Sequence, residues 1–482
     1  MLHFHRFLVF ALCFDGISAY LQVSSPGHRR SNSQYDLDTL SDDNYTVLKH
    51  PEFPSYNVRI KKSRFCDGTV QSFTGYIDIE TRHLFFYFFE SRSDPINDDV
   101  IFWTSGGPGG SSAVGLFTEL GPCRIISPNE TLFNPYSWNN NANIFFVDQP
   151  VGTGFSYTDF DELVDTSEAA AKDIAAFVFI FFQHFFKLQG NPFHFAGESY
   201  AGREIPLFAA ALYDQNTRLA KGGMTPINLS SIMLGNGITD IYTMVTSFYD
   251  MTCTPATVPP VLSIETCVRM KRVIPRCEQW LKKSCTDIFD AIDCKAAHSF
   301  CLRELAEPYD SDGRNPYYLT GPYCEDDLCG SEAIKNMTIY LNLPETRNLL
   351  GVDSAKGNFS AVNYTIPNAF HAKMDYYELT TLYVGALLER GIRVLVYVGN
   401  YDWICNWVGN ERWTLNLEWT GQQQFVSQPL REWYIDELPA GMTRSARGFT
   451  FATIKGGGHT APGDKPEEAL ALIQRWLAGM EL

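Results

Sequence analysis

The stretch "NPFHFAGESYAGREIP", Asn191 to Pro206, constrains the fold of this chain more than any other. Phe193 to Ala196 has the apolar, aromatic character of a short buried strand, and Glu204 to Gln215 reads as a helix. Ser199 therefore falls at a tight strand-to-helix turn. Such an elbow is crowded, tolerates only small neighbours (here Gly197 and Ala201) and lifts the serine hydroxyl to the carboxyl edge of a sheet. Ala201 stands where the G-x-S-x-G pattern has its second glycine. Taken alone, the stretch fits an ordinary serine in a glycine-rich turn equally well, so the rest of the chain has to decide.

A sheet for that elbow can be read around it. The β-rich runs "TGYIDI", "LFFYFFE", "DVIFWTS" and "NIFFVDQP" come first, helical segments follow, and then "FHFAG" and "SSIMLGNG". "IRVLVYVGN" and "FTFATIKGGG" resume the strands late, and "KPEEALALIQRWLAGM" closes with an amphipathic helix. This alternation predicts an α/β fold whose sheet starts with antiparallel strands. Strand periodicity lapses between 241 and 340, where Cys253, Cys267, Cys277, Cys285, Cys294, Cys301, Cys324 and Cys329 crowd together. That segment reads as a stapled cap inserted into a core of residues 56–240 and 341–482. No internal repeat or low-complexity tract occurs.

The start, "MLHFHRFLVFALCFDGISAY", has the weakly basic front, apolar stretch and small residues of a secretory signal, residues 1–19, cleaved near Ala19. Asp15 interrupts the apolar run too early for an anchor, and the second run, Ile174 to Phe186, is too short to span a membrane and reads as a core helix. Residues 20–55, rich in Ser, Asp and Pro, read as a leader or processed segment, with packed structure beginning near Cys66. A formal charge of -17 with no long basic run argues against nucleic acid or an anionic membrane as a partner. Of the 12 cysteines, loss of Cys13 with the signal leaves an odd number, so at least one thiol stays unpaired within the chain. Cys324 with Cys329 predicts a local loop, and Cys66 with Cys123 a bridge flanking the first strand block. Zinc is disfavoured, since paired C-x-x-C knuckles are missing and the compartment is oxidising. Sequons at Asn44, Asn129, Asn228, Asn336, Asn358 and Asn363 agree with the secretory pathway, extracellular or vacuolar.

An α/β-hydrolase carries its nucleophile, acid and base in that chain order, each after a strand. His459 in "IKGGGHTAPGDKP" is the one histidine beyond His371 and follows a predicted strand directly; Asp402 lies just past the strand Val394 to Val398. Asp402 could be a helix cap and His459 a loop hydrogen-bonder, but order and placement together favour a Ser199, Asp402, His459 triad. The oxyanion hole falls to the amides of Tyr200 and of Gly107 in "IFWTSGGPGGSS". A phosphate loop is the rival reading of those glycines, but no Lys-Ser or Lys-Thr pair follows them.

"GESYAG", "SGGPGGSS", "FTELGP", "YDWICNW" and "GGGHTAP" together resemble the blocks of the serine carboxypeptidase family, in order, over roughly residues 66 to 480. The resemblance implies an α/β-hydrolase mixed sheet with a disulfide-stapled, mostly helical insertion, and release of C-terminal residues from peptides at acidic pH through an acyl-enzyme. It also implies that Glu119 and Glu198 bind the substrate's terminal carboxylate, that Cys405 is the free thiol, and that no metal or organic cofactor takes part. Three positions depart from the family's usual pattern: Ser105 replaces an Asn that bonds the substrate carboxylate, Gly110 replaces a bridged Cys, and Arg203 replaces a common His. An acyltransferase or esterase on the same scaffold remains the alternative, because an acyl-enzyme does not dictate its acceptor. A non-catalytic secreted binding protein is disfavoured by the complete triad.

Overall fold

The computed structural model describes residues 35–160, 162–324, 329 and 331–482. The expected signal and the leader up to residue 34 lie outside the described residues. In chain order the strands are β1 (Thr46–His50), β2 (Phe53–Lys62), β3 (Ser72–Ile79), β4 (Arg82–Phe89), β5 (Asp99–Thr104), β6 (Cys123–Ser127), β7 (Glu130–Phe133), β8 (Ala142–Val147), β9 (Tyr157–Thr158), β10 (Phe193–Ser199), β11 (Leu229–Gly237), β12 (Arg393–Gly399), β13 (Arg431–Ile435), β14 (Leu438–Ala446) and β15 (Phe449–Ile454). One 13-stranded sheet runs β1-β2-β3-β4-β8-β5-β10-β11-β12-β15-β14-β13, with β9 on β4; β6 and β7 form a separate hairpin. Pairing is parallel from β8 through β15 and antiparallel on both flanks.

The apolar runs are continuous because the sheet is covered on both faces, and alternate residues serve different cores. In β4, Leu84, Phe86 and Phe88 join the core under the first two helices, while Phe85, Tyr87 and Phe89 join the opposite one. β5 repeats the pattern with Val100 and Phe102 on one side, Ile101 and Trp103 on the other. The first core is closed by α1 (Ser167–His184) and α2 (Ala201–Lys221), the second by the C-terminal helix Pro466–Leu477. Most of the run, Ile174 to His184, falls in α1 and is buried around nearly its whole circumference, which accounts for its hydrophobicity, while Phe186 lies past the helix end and is exposed. Among the described residues no helix is long and apolar enough to cross a membrane.

Two sequence expectations need correction. Among the described residues packed structure is present from Tyr35, well before Cys66: Tyr35 packs on the first core, and Leu48, Val58 and Ile60 of β1 and β2 are fully buried in it. The polar average of residues 20–55 hid a strand that buries only one face. The β13–β14 hairpin also went unread, because its turn residues Asp436 and Glu437 take positive φ (45° and 68°) without the Asn or Gly that usually marks such a turn.

Between β11 and β12 the described residues hold no strand. This insertion is helical, with α3 (Ile241–Cys253), α4 (Ile264–Leu281), α5 (Ala291–Leu305) and shorter helices after them. Bridges Cys253–Cys267 and Cys277–Cys301 join α3 to α4 and α4 to α5, with Cys285–Cys294 and Cys324–Cys329 closing shorter loops. The buried core here joins Ile241, Val245, Met270, Leu281, Ala297, Leu305 and Tyr377 with four of the bridged cysteines, so covalent staples lie within the apolar cluster and add to it. Cys66–Cys123 is the bridge in the sheet domain, and Cys405 is unbridged.

Phe177 of α1 packs against Phe86 and Phe145 at 5.2 and 5.5 Å between ring centroids. Phe177→Ala should cost about 3–5 kcal/mol of stability through lost burial and a residual cavity, read as a lower midpoint in urea unfolding.

Candidate active site

β10 ends on Ser199 and α2 begins at Ala201, a longer strand and an earlier helix than the sequence suggested. Ser199 has φ 60°, the left-handed region an L-residue adopts only under constraint. The crowding is measurable: a Cβ on Gly197 would lie 2.6 Å from the Ala201 Cβ and 2.7 Å from the Thr104 carbonyl oxygen. Pro206 leaves the Gly202 carbonyl without its helical donor, and the Thr239 hydroxyl fills that place at 3.1 Å. Ser199 is left partly exposed while Tyr200 is buried.

The turn after β12 carries Asp402 and the loop after β15 carries His459. His459 Nδ1–H donates to Asp402 Oδ2 at 2.9 Å, which leaves Nε2 as the ring's acceptor. The His459 amide is pinned to the Tyr317 carbonyl at 2.8 Å. Burial works against the imidazolium, but the charge and hydrogen bond of Asp402 outweigh it and raise the His459 pKa. The unbridged Cys405 thiol is buried in the same site, and its pKa is driven well up by burial and by Asp402. Asp402, Cys405 and His459 bring ligand-type atoms within 4.8 Å of one another, but Nδ1 and Oδ2 are committed to each other and the thiol holds its proton, which is acid–base chemistry and not a metal's donor set.

On the other side of Ser199, the loop of residues 105–112 closes against the elbow. A Cβ on Gly106 would lie 2.4 Å from the Tyr200 nitrogen, and Gly107 follows with φ 122°. The Tyr200 amide precedes the first helical residue and so has no acceptor within the helix. Gly110, in place of a bridged cysteine, donates its amide to Gly106 and bridges to Val362. The buried Asp148 carboxyl, raised to about 6 by burial, accepts from the Ser111 hydroxyl at 2.6 Å and the Ser112 amide at 3.0 Å. Backbone and carboxyl bonds thus fix the loop without that cysteine.

Glu198, immediately before the serine, faces Glu119. Both are buried, and among the described residues no hydrogen-bond partner reaches either oxygen of Glu119 or Oε2 of Glu198. Two facing carboxyls in such a site are compatible only with a proton on one of them, and burial favours that neutral form. Burial raises both pKa values, and the Glu119 charge raises Glu198 further. In the glycine-rich loop, the Ser105 hydroxyl is buried without a hydrogen-bond partner among the described residues.

Sequence reading had no account of Arg203. Its buried guanidinium donates through Nη2 to the carbonyls of Asp375, at 3.0 Å, and Glu378, while Asp375 accepts from the Tyr200 hydroxyl at 2.7 Å. Arg203 therefore fastens the 375–378 segment beneath the residue after the serine. Two further residues were missed: Asn236, in the "GNG" ending β11, bonds Asp402, and Asp464 accepts the Gly458 amide at 2.8 Å. A polar residue closing a strand run was the available signal for Asn236.

A mixed sheet with a serine elbow after one parallel strand, and an acid and a histidine after two later ones, defines an α/β-hydrolase. A solved prohormone-processing carboxypeptidase from Saccharomyces cerevisiae shares this fold with TM-score 0.71 at 23% identity, over 86% of this chain and 92% of that one. The serine carboxypeptidase family profile matches residues 66–479. The carboxypeptidase Y of Candida albicans is 39% identical over 433 residues, covering 89% of this chain and 77% of the relative. A vacuolar serine-type carboxypeptidase of Saccharomyces cerevisiae is 37% identical over 468 residues, covering 95% and 90%. The chain belongs to the serine carboxypeptidase family, and it is an enzyme, a serine-type carboxypeptidase.

Arg203→Ala should strand the Asp375 and Glu378 carbonyls and lower stability by about 3 kcal/mol in urea unfolding, with Arg203→Lys intermediate because it keeps the charge but not the fork.

Proposed function

We propose that the protein releases C-terminal residues from peptides by acyl transfer to Ser199. His459 takes the hydroxyl proton as the serine oxygen bonds to the scissile carbonyl carbon, and returns it to the leaving amine as the C–N bond breaks. Water, deprotonated by the same imidazole, then attacks the ester and frees the acid and Ser199. Asp402 holds the ring and balances its charge, and the amides of Tyr200 and Gly107 receive the oxyanion. The buried Glu119–Glu198 pair carries the exopeptidase reading. A substrate carboxylate cannot approach two ionised glutamates, but it can accept a hydrogen bond from a protonated one. Ser105, with a shorter donor than Asn, leaves more of that task to the pair.

A cavity of about 880 Å³, whose wall mixes the apolar Ile241, Met244, Phe248, Tyr376, Trp403 and Ile404 with the charged Arg303, Glu307, Asp310 and Arg314, offers a substrate side chain both apolar and polar contacts. Tyr376 also stacks on Tyr200, which fixes this wall against the nucleophile's neighbour. The bridges, the sequons and the vacuolar relative favour the secretory pathway, ending in a vacuole or outside the cell.

The pH dependence tests this reading. His459 must be neutral to act, so falling pH should slow free-acid and amidated peptides alike. As pH rises the Glu pair loses its proton, so KM should climb for free-acid peptides and change less for amidated ones, holding free-acid turnover toward acidic pH. Glu198→Gln keeps a donor with no proton to lose and should flatten that climb. Ser105→Asn should tighten free-acid binding by about 1–2 kcal/mol. Identical KM profiles for acid and amide, unaffected by Glu198→Gln, would move the acyltransferase or esterase reading to the front.

A further inference from the structure

Asn236 sits at the carboxyl end of β11, the strand between the one that ends on Ser199 and the one that leads to Asp402. Its side chain is buried and fully used. Nδ2 donates to Asp402 Oδ2 at 2.8 Å and to the Gly458 carbonyl at 3.0 Å, while Oδ1 accepts the Gly399 amide at 3.2 Å. The backbone takes φ 40°, a conformation Asn tolerates better than most residues but that no strand requires.

We propose that Asn236 is a positioning residue for the acid–base pair, its amide tying the Asp402 carboxylate to the backbone just before His459. The two hydrogens of one amide group fall on two different loops, and the distance between those loops sets the angle at which the imidazole meets the serine. Asp402 Oδ2 accepts from both His459 and Asn236, and Oδ1 from the Cys405 amide at 3.2 Å, so the carboxylate cannot turn away from the ring. Asp464 holds the Gly458 amide from the other side, which keeps the base loop from sliding along the strand axis. The Asn236 hydrogen bonds go to the acid and to the base loop and not to Glu119 or Glu198, so the contribution belongs to turnover more than to binding.

The inference rests on Asp402 and His459 being the acid and base, and its test keeps the two apart. Asn236→Gly removes the side chain and suits the left-handed backbone; Asn236→Asp keeps the acceptor for Gly399 but has a donor only when protonated. With rates normalised to sites titrated by an organophosphorus reagent, Asn236→Gly should lower kcat on the order of 10- to 100-fold with KM within about twofold. Loss of the donor leaves the Asp402 charge less shared, which stabilises the imidazolium, so the low-pH limb of kcat/KM should move to higher pH. Glu119, Asp464, Cys405 and Tyr317, the other groups around the ring, are unchanged in both variants. Asn236→Asp should recover relative to wild type as pH falls, when its carboxyl is protonated and can donate to Asp402. Wild-type kcat, or a loss of kcat with an unmoved limb and no acid recovery, overturns the proposal. Full activity in His459→Ala would instead overturn the acid–base assignment beneath it.

Discussion

Ser199 can serve as a nucleophile only while its backbone stays left-handed, and contact holds it there. A non-glycine residue pays about 1–3 kcal/mol for such a conformation, so neighbours must over-determine it. They do so from four directions. Gly106 presses on the Tyr200 nitrogen, Gly197 faces Ala201, Gly202 lies against Gly237, where a Cβ would fall 2.7 Å from the neighbouring Cα, and the Ile238 amide donates to the Ser199 carbonyl at 3.0 Å. Any larger side chain at these glycines would push the elbow apart.

Those contacts exist because β5, β10 and β11 run parallel and end together, and the same sheet order delivers the rest of the site. The sequence β10-β11-β12-β15 places the serine, then Asn236, then the Asp402 turn, then the His459 loop along one edge. The aromatic cores on both faces keep that edge in register. Charge is then set by burial and neighbours together: Asp402 raises the imidazole's pKa against burial, while burial raises both Glu119 and Glu198.

Much of this was legible in the chain because it is local. A strand, a turn and a small residue specify Ser199, and the placement of Asp402 and His459 after later strands follows from order alone. The two bridges expected from position, Cys66–Cys123 and Cys324–Cys329, also occur. What stayed hidden is long-range. Arg203 finds its acceptors more than 170 residues away, and Asn236 meets Asp402 across 166, so no window of sequence contains both partners. The strand β1 was hidden for a different reason: it buries only alternate residues, and an average over a Ser- and Asp-rich stretch erases that alternation.

The central claim is that Ser199 carries the acyl group. Rapid acid quenching of the protein during turnover of a peptide ester, followed by proteolysis and mass spectrometry, locates that group directly. The account predicts acylation at Ser199 alone, lost in Ser199→Ala together with turnover. An acyl group on another residue, or a Ser199→Ala variant that turns over at the wild-type rate, would contradict it.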